Sequence, residues 1–236
     1  MSDFERNVAA YPGAARTVAV DAGLRAHMIR VYNYMAGGVA LTGAVAYFTH
    51  QMFGQQLYGS PLMYVLIFAP LALVFFLSWR IESLSASTAR ALFFIYAALL
   101  GASLSIIFAV YTEASITRVF FISAAAFGGL SLWGYTTQRD LTGMGSFLMM
   151  GLIGIIIASL VNIFLKSSGL DWIISIIGVI VFAGLTAWDT QKIKEMYSPY
   201  DDGTVGGRKA VMGALSLYLD FINLFLMLLR LFGDRR

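Results

Sequence analysis

Two carboxylates stand where carboxylates are expensive. Asp220 lies ten residues into the apolar run Ala210–Phe232, and Asp189 lies near the end of the preceding run, Trp172–Gln191. A carboxylate at the centre of a bilayer costs on the order of 2.5–3.5 kcal/mol, so it marks a functional site by default. Both sit on polar stripes. Gly213, Ser216, Asp220 and Asn223 are spaced 3, 4 and 3 apart, which puts them on one helical face. Ser175, Gly178, Phe182, Thr186 and Asp189 follow the same kind of spacing. Helices joined by one loop tend to be neighbours, so the two stripes are expected to face each other, away from lipid.

Two carboxylates in one site of low dielectric cannot both ionise cheaply. The pair then titrates as a unit, which suits a proton-controlled gate. Losing the shared proton adds charge, and the helices separate or recruit a cation or an arginine. Arg80, at the end of the second apolar run, is a reachable arginine; its plainer reading is an interfacial anchor. Ser216, Asn223 and Thr186 are the expected polar lining. The plainer reading of Asp220 is a hydrogen bond that glues neighbouring helices together.

A helix needs about 20 apolar residues to cross a bilayer, and seven runs qualify. They are Met28–Thr49, Pro61–Trp79, Ala89–Tyr111, Ser115–Thr137, Met144–Leu165, Trp172–Gln191 and Ala210–Phe232. Barrel strands would instead alternate over about 10 residues. Pro61 suits a first helical position after Ser60, and Pro70 is expected to kink the second helix. Gly37 and Gly38, Gly101 with Ser105, Ala124 with Gly128, and Gly151 with Gly154 are small-residue pairs that allow close helix approach. Residues 1–27 read as a polar cytoplasmic segment, and 28–236 as a single all-α membrane domain. The longest connection is Tyr197–Lys209; its Asp201-Asp202-Gly203 run has the wrong spacing for a calcium loop and reads as a solvated turn.

Orientation follows from the basic residues. With the N-terminus inside, Arg6, Arg16, Arg25, Arg30, Arg80, Arg90, Arg139, Lys192, Lys194, Arg208 and Lys209 fall inside, against Arg118, Lys166, Arg230, Arg235 and Arg236 outside, or 11 to 5. A re-entrant last run would bring the tail inside and make the split 14 to 2.

Composition excludes several chemistries. Charged residues are 12% of the chain and hydrophobic ones 59%, too apolar for a soluble domain of 236 residues. The absence of cysteine removes disulfides, thiolate metal sites and a cysteine nucleophile. Two histidines, His27 and His50, cannot build a three-histidine zinc site. No cofactor is expected, and no nucleic acid.

The run Gly184-Leu185-Thr186-Ala187-Trp188-Asp189-Thr190-Gln191-Lys192-Ile193 resembles the signature of the Bax inhibitor-one family, also called the transmembrane Bax inhibitor motif family. Ala214 to Phe225, with Asp220 at its centre, resembles the last-span signature. Tyr96–Ser105 and Trp133–Thr137 resemble the third and fourth spans. The likeness runs from about Arg30 to the end and is greatest to bacterial members; Trp188 stands where a tyrosine is expected. The resemblance implies seven transmembrane helices, with two three-helix layers around a central C-terminal helix. It also implies a hydrogen-bonded aspartate pair, matched by Asp189 and Asp220, that makes a calcium leak across the inner membrane pH-sensitive, and an arginine of the second span, with Arg80 the candidate, that latches to it in the closed state. Family members are further linked to suppression of cell death and, in bacteria, to a membrane-bound AAA protease.

Calcium prefers six to eight oxygen ligands. Asp189 and Asp220 with Asn223, Ser216 and Thr186 cannot close such a cage, so weak, transient calcium and a slow leak fit better than storage. An enzyme is not expected. Intramembrane aspartyl proteases also place one aspartate on each of two spans, but their second lies in Gly-x-Gly-Asp, whereas Asp220 follows Tyr218-Leu219. A proton/cation exchanger, and a non-transporting regulator that docks a membrane protease on the N-terminal segment or the Tyr197–Lys209 connection, are the competing readings. The direction of the pH response stays open. Repulsion would open the gate on deprotonation, loss of an arginine latch on protonation.

Overall fold

The computed structural model describes residues 12–236, with side chains from Ala22 onward. Arg6 and the first eleven residues of the expected cytoplasmic segment lie outside the described residues. Seven long helices follow: α1 Pro12–Leu57, α2 Pro61–Arg80, α3 Ala86–Leu104, α4 Glu113–Thr136, α5 Thr142–Leu165, α6 Ser168–Glu195 and α7 Gly203–Phe232. Short helical pieces, Ile81–Ser83 and Ile107–Val110, follow α2 and α3. Six of the seven are long and apolar enough to cross a membrane. The exception is α1, where Tyr32, Asn33, Tyr34, Thr42, Tyr47, Thr49 and His50 dilute the apolar run expected over Met28–Thr49.

Local chemistry sets the boundaries. The side chains of Ser85, Thr112 and Ser167 accept hydrogen bonds from the backbone N–H of Thr88, Ser115 and Leu170, capping α3, α4 and α6. Asp202 caps α7 by accepting from Thr204 and Val205. The expected solvated turn is therefore partly helix: Gly203, Gly206 and Gly207 belong to the first turns of α7, and Asp201 forms an ion pair with Lys209 at 2.7 Å. Residues 12–27, expected as a polar segment, are the opening turns of α1. The second helix continues unbroken through Pro70.

The last helix is the core. It packs against α1, α3, α4 and α6; α2 and α5 pack instead on α3 and α6. Of its apolar stretch 72% is buried, against 11–44% for the other five qualifying helices, so α7 is enclosed by protein while they share their faces with lipid. Phe75 and Trp79 of α2 and Phe147 and Phe164 of α5 point outward, an apolar surface that only a bilayer accommodates.

Close approach is concentrated at particular glycines. A Cβ on Gly101 would lie 2.6 Å from the Thr42 carbonyl oxygen, and one on Gly134 only 2.2 Å from that of Ala187. These contacts set α3 against α1 and α4 against α6 at backbone distance. Gly38 makes room for Phe93 and Tyr218. Gly128 and Gly154, expected at helix contacts, face open space instead, because the spacing recurs on the outward sides of α4 and α5 as well.

Two hydroxyl chains cross between helices, and their polarity is fixed. The Thr42 hydroxyl lies 2.9 Å from the carbonyls of Gly38 and Ala97, which cannot donate, so Tyr218 donates to Thr42 at 2.6 Å. This ties α1, α3 and α7. Thr190 donates to the Thr186 carbonyl, so Ser131 donates to Thr190 at 2.9 Å and Tyr32 to Ser131 at 2.6 Å, tying α1, α4 and α6.

The two ends of the bundle are now distinguishable. His27 of α1 packs on Tyr197 after α6, ring centroids 5.7 Å apart, and Arg208 of α7 donates to the Glu82 carbonyl after α2. At the other end, Asp234 and Arg236 pair with Arg118 and Glu113, and the tail backbone bonds to Val110 and Thr112. The last helix therefore passes from one end to the other, and the tail lies with the α3–α4 and α5–α6 turns. The re-entrant alternative is excluded.

His27 is buried, and its Nε2 has no hydrogen-bond partner. Burial holds the imidazole below the ordinary value of 6.5; Arg30 and Lys209 add to this and Asp201 opposes it. The unfolded chain therefore takes up a proton at His27 before the folded one does, and stability falls as pH drops below 6.5. Between pH 7.5 and 5, the melting temperature of the detergent-solubilised protein should fall more steeply for wild type than for His27→Gln. Gly134→Ala should cost about 1–3 kcal/mol through overpacking, while Gly128→Ala is neutral or better; thermal unfolding of both variants checks the contrast.

Candidate functional site

The sixth and seventh helices run antiparallel along three levels. At one level Gly213 gives room to Ile193, at the next Asp220 meets Asp189, and beyond it Gly178 gives room to Met227. The glycines bring the helices together on both sides of the aspartates. Their side chains are consequently within hydrogen-bonding reach. Two ionised carboxylates offer only acceptors, so such a bond requires that the pair hold a proton. Asp220 is only 5% exposed, and its Oδ2 has no hydrogen-bond partner, so Asp189 is the polar neighbour this carboxyl has across the helix pair. Asp189 is half-buried and feels the charge of Lys192 one turn on.

The pair borders a cavity of about 520 Å³ between α5, α6 and α7. It exists because α5 packs on α6 and leaves α7 uncovered on that side. Apolar residues of α5, from Met149 to Ile163, form one wall. That stretch covers about 21 Å at 1.5 Å per residue. Asp189, Asp220 and Ser216 occupy the end nearest the α6–α7 connection, and Asn223 and Met227 lie farther along α7. The cavity thus leads from the far end of the bundle down to the aspartates.

Below the aspartates the helices close. Trp188 presses on α5 at Gly145, where a Cβ would lie 2.2 Å from the indole. The Lys192 ammonium sits over the same indole, 5.0 Å from its centroid. Gln191 fastens the α4–α5 turn to α6: its Oε1 accepts from Leu141 N–H and its Nε2 donates to the Arg139 carbonyl, both at 2.8 Å. Trp188 and Gly145 are the residues that reading the sequence for polar groups passes over. The signal was there in the aromatic change within the signature run.

The expected residues divide accordingly. Asp189, Asp220, Ser216 and Asn223 come together on the cavity. Thr186 does not line it. It is fully buried, donates to the Phe182 carbonyl and accepts from Thr190 through its own carbonyl, on the face of α6 turned to α4 and α1. A helix turns 100° per residue, so Phe182, Leu185 and Asp189 share the cavity side while Thr186 and Thr190 turn away. Nor does Arg80 reach the pair. It is exposed at the end of α2, 6.0 Å from the Trp79 ring, and forms no salt bridge with either aspartate. Its helix packs on α3 and is separated from α6. Among the described residues no three histidine, aspartate or glutamate side chains gather as metal ligands.

Residues 24–236 match the family described as Inhibitor of apoptosis-promoting Bax1. The inner membrane protein YbhL of Escherichia coli strain K12 is 50% identical, over 96% of this chain and 99% of its own length. An uncharacterized protein of Rickettsia prowazekii, RP147, is 51% identical over 92% of each chain. An uncharacterized membrane protein of Streptococcus pyogenes is 39% identical over 90% of this chain and 94% of its own. With several helices able to span a membrane and a family match that takes in all of α2 to α7, the chain belongs to the Bax inhibitor family of membrane proteins.

Proposed function

We propose that this protein is a pH-sensitive calcium leak of the bacterial inner membrane, gated by the Asp189–Asp220 pair. The observation that carries the reading is the meeting of these two carboxyls at the blind end of the α5–α6–α7 cavity. In this reading all seven helices cross, α1–α3 and α4–α6 form two layers around α7, and the N-terminus is cytoplasmic. The cavity then opens toward the outer face, and the Trp188 plug closes the cytoplasmic side.

A cation entering the cavity meets Asn223, Ser216 and then the carboxyls. Water must complete a calcium shell, since these groups supply fewer than the six to eight oxygens that calcium prefers. Such a stopover is weak, as conduction requires. The proton shared by the pair competes with the cation for the same oxygens, which makes passage depend on pH. The pair works as a gate and not as catalytic acid and base.

Purified protein in liposomes should pass calcium down its gradient at a rate that varies with pH. Asp220→Asn and Asp189→Asn should flatten that pH dependence and change the rate at neutral pH by about tenfold, some 1.4 kcal/mol in a barrier. Unchanged flux and pH profile in both variants would sink the gate, and a wild-type protein that passes no calcium would leave only a binding role. Trp188→Ala, which empties the plug without touching a carboxyl, should raise flux at every pH while the profile keeps its shape.

A further inference from the structure

Five described basic residues lie at the end of the bundle that carries the C-terminal tail: Arg118, Lys166, Arg230, Arg235 and Arg236. Three are neutralised. Arg118 pairs with Asp234 at 2.9 Å, Arg230 with Asp171 at 3.6 Å, and Arg236 with Glu113 at 3.9 Å. The two with no carboxylate partner, Lys166 and Arg235, line the same cavity. It measures about 400 Å³ and is bordered also by Asn162, Asp171, Trp172 and Arg230. Counting Lys166, Arg230 and Arg235 against Asp171, three positive charges face one negative, a net of +2 around one opening.

Lys166 occupies its place at a cost. It ends α5 with φ 49° and ψ 36°, the left-handed conformation that glycine adopts freely and a lysine does not. The turn would form more easily without the side chain, so the ammonium is what the position supplies. Trp172 at the rim is 60% exposed, an aromatic of the kind favoured at the level where acyl chains meet headgroups.

We propose that this cavity binds the phosphate of an anionic lipid headgroup, held by Lys166 and Arg235 with Arg230 as a third cation. The site is separate from the aspartate cavity and does not depend on the leak. Arg230, already engaged by Asp171, holds α6 and α7 together at its floor, so an occupied site braces the outer ends of the two helices that carry the aspartates.

The test is thermal unfolding of the full-length protein in neutral detergent, titrated with short-chain phosphatidylglycerol, short-chain phosphatidylcholine or inorganic phosphate. Phosphatidylglycerol should raise the wild-type melting temperature saturably, and zwitterionic phosphatidylcholine should not. Lys166→Gly combined with Arg235→Gln should move the half-maximal lipid concentration up about tenfold or more. Lys166→Gly alone should melt no lower than wild type without lipid, since it relieves the backbone, yet should respond more weakly to lipid. Arg90→Gln, at the opposite end of the bundle, should respond as wild type. A half-maximal concentration unchanged in the double variant overturns the site, and so does an equal response to phosphatidylcholine. A response to inorganic phosphate at the same concentration as to phosphatidylglycerol supports the phosphate site and overturns the lipid as its source.

Discussion

A carboxyl in the middle of an apolar bundle must be satisfied by what the neighbouring helix offers. Asp220 belongs to the most enclosed helix of the fold, and the partner it finds is another carboxyl. Neither can be ionised without burdening the other, and neither has a base bonded to it. The rest of the architecture serves this contact. Glycines above and below it draw α6 and α7 together, and the withdrawal of α5 from α7 leaves the pair accessible from one side.

The bundle is tied unevenly. On one side of α7 the Tyr218–Thr42 hydroxyl pair and the Gly101 backbone contact join α1, α3 and α7. Around α6, the chain from Tyr32 through Ser131 to Thr190 joins α1 and α4. Each has a fixed donor-to-acceptor sense, set by the helix carbonyl on which it ends. Among the described residues no comparable polar tie crosses the aspartate cavity, whose α5 wall is made of apolar side chains and Ser159. The packing around α7 is therefore loosest on the side of the α5 wall.

Charge is handled differently at the two ends. At the end holding the α6–α7 connection, positive charge is numerous, and it presses on the buried His27. At the other end the basic residues are fewer, and most are paired with acids of the tail and of the first turns of α4 and α6. The tail is thereby folded back onto the α3–α4 turn. What remains unpaired there, Lys166 and Arg235, converges on one opening.

By itself the sequence determined the all-helical membrane character, the positions of most helices and the two aspartates, because run length and the cost of a buried charge are local properties. Ser216 and Asn223 line the cavity beside the aspartates, since the stripe on α7 is short and nearly every face of that helix is buried. Tertiary structure decided the rest. Thr186 belongs to the same sequence pattern as Asp189, yet it turns toward α4, because a helix surrounded by four neighbours has several buried faces and spacing does not say which one meets the cavity. Arg80 lies at a suitable depth in the sequence but on a helix that packs elsewhere. Small-residue spacing likewise could not tell Gly134, pressed on a neighbour's backbone, from Gly128, open to its surroundings. The cavity itself is a gap between helices distant in the chain, and a gap leaves no residue pattern to read.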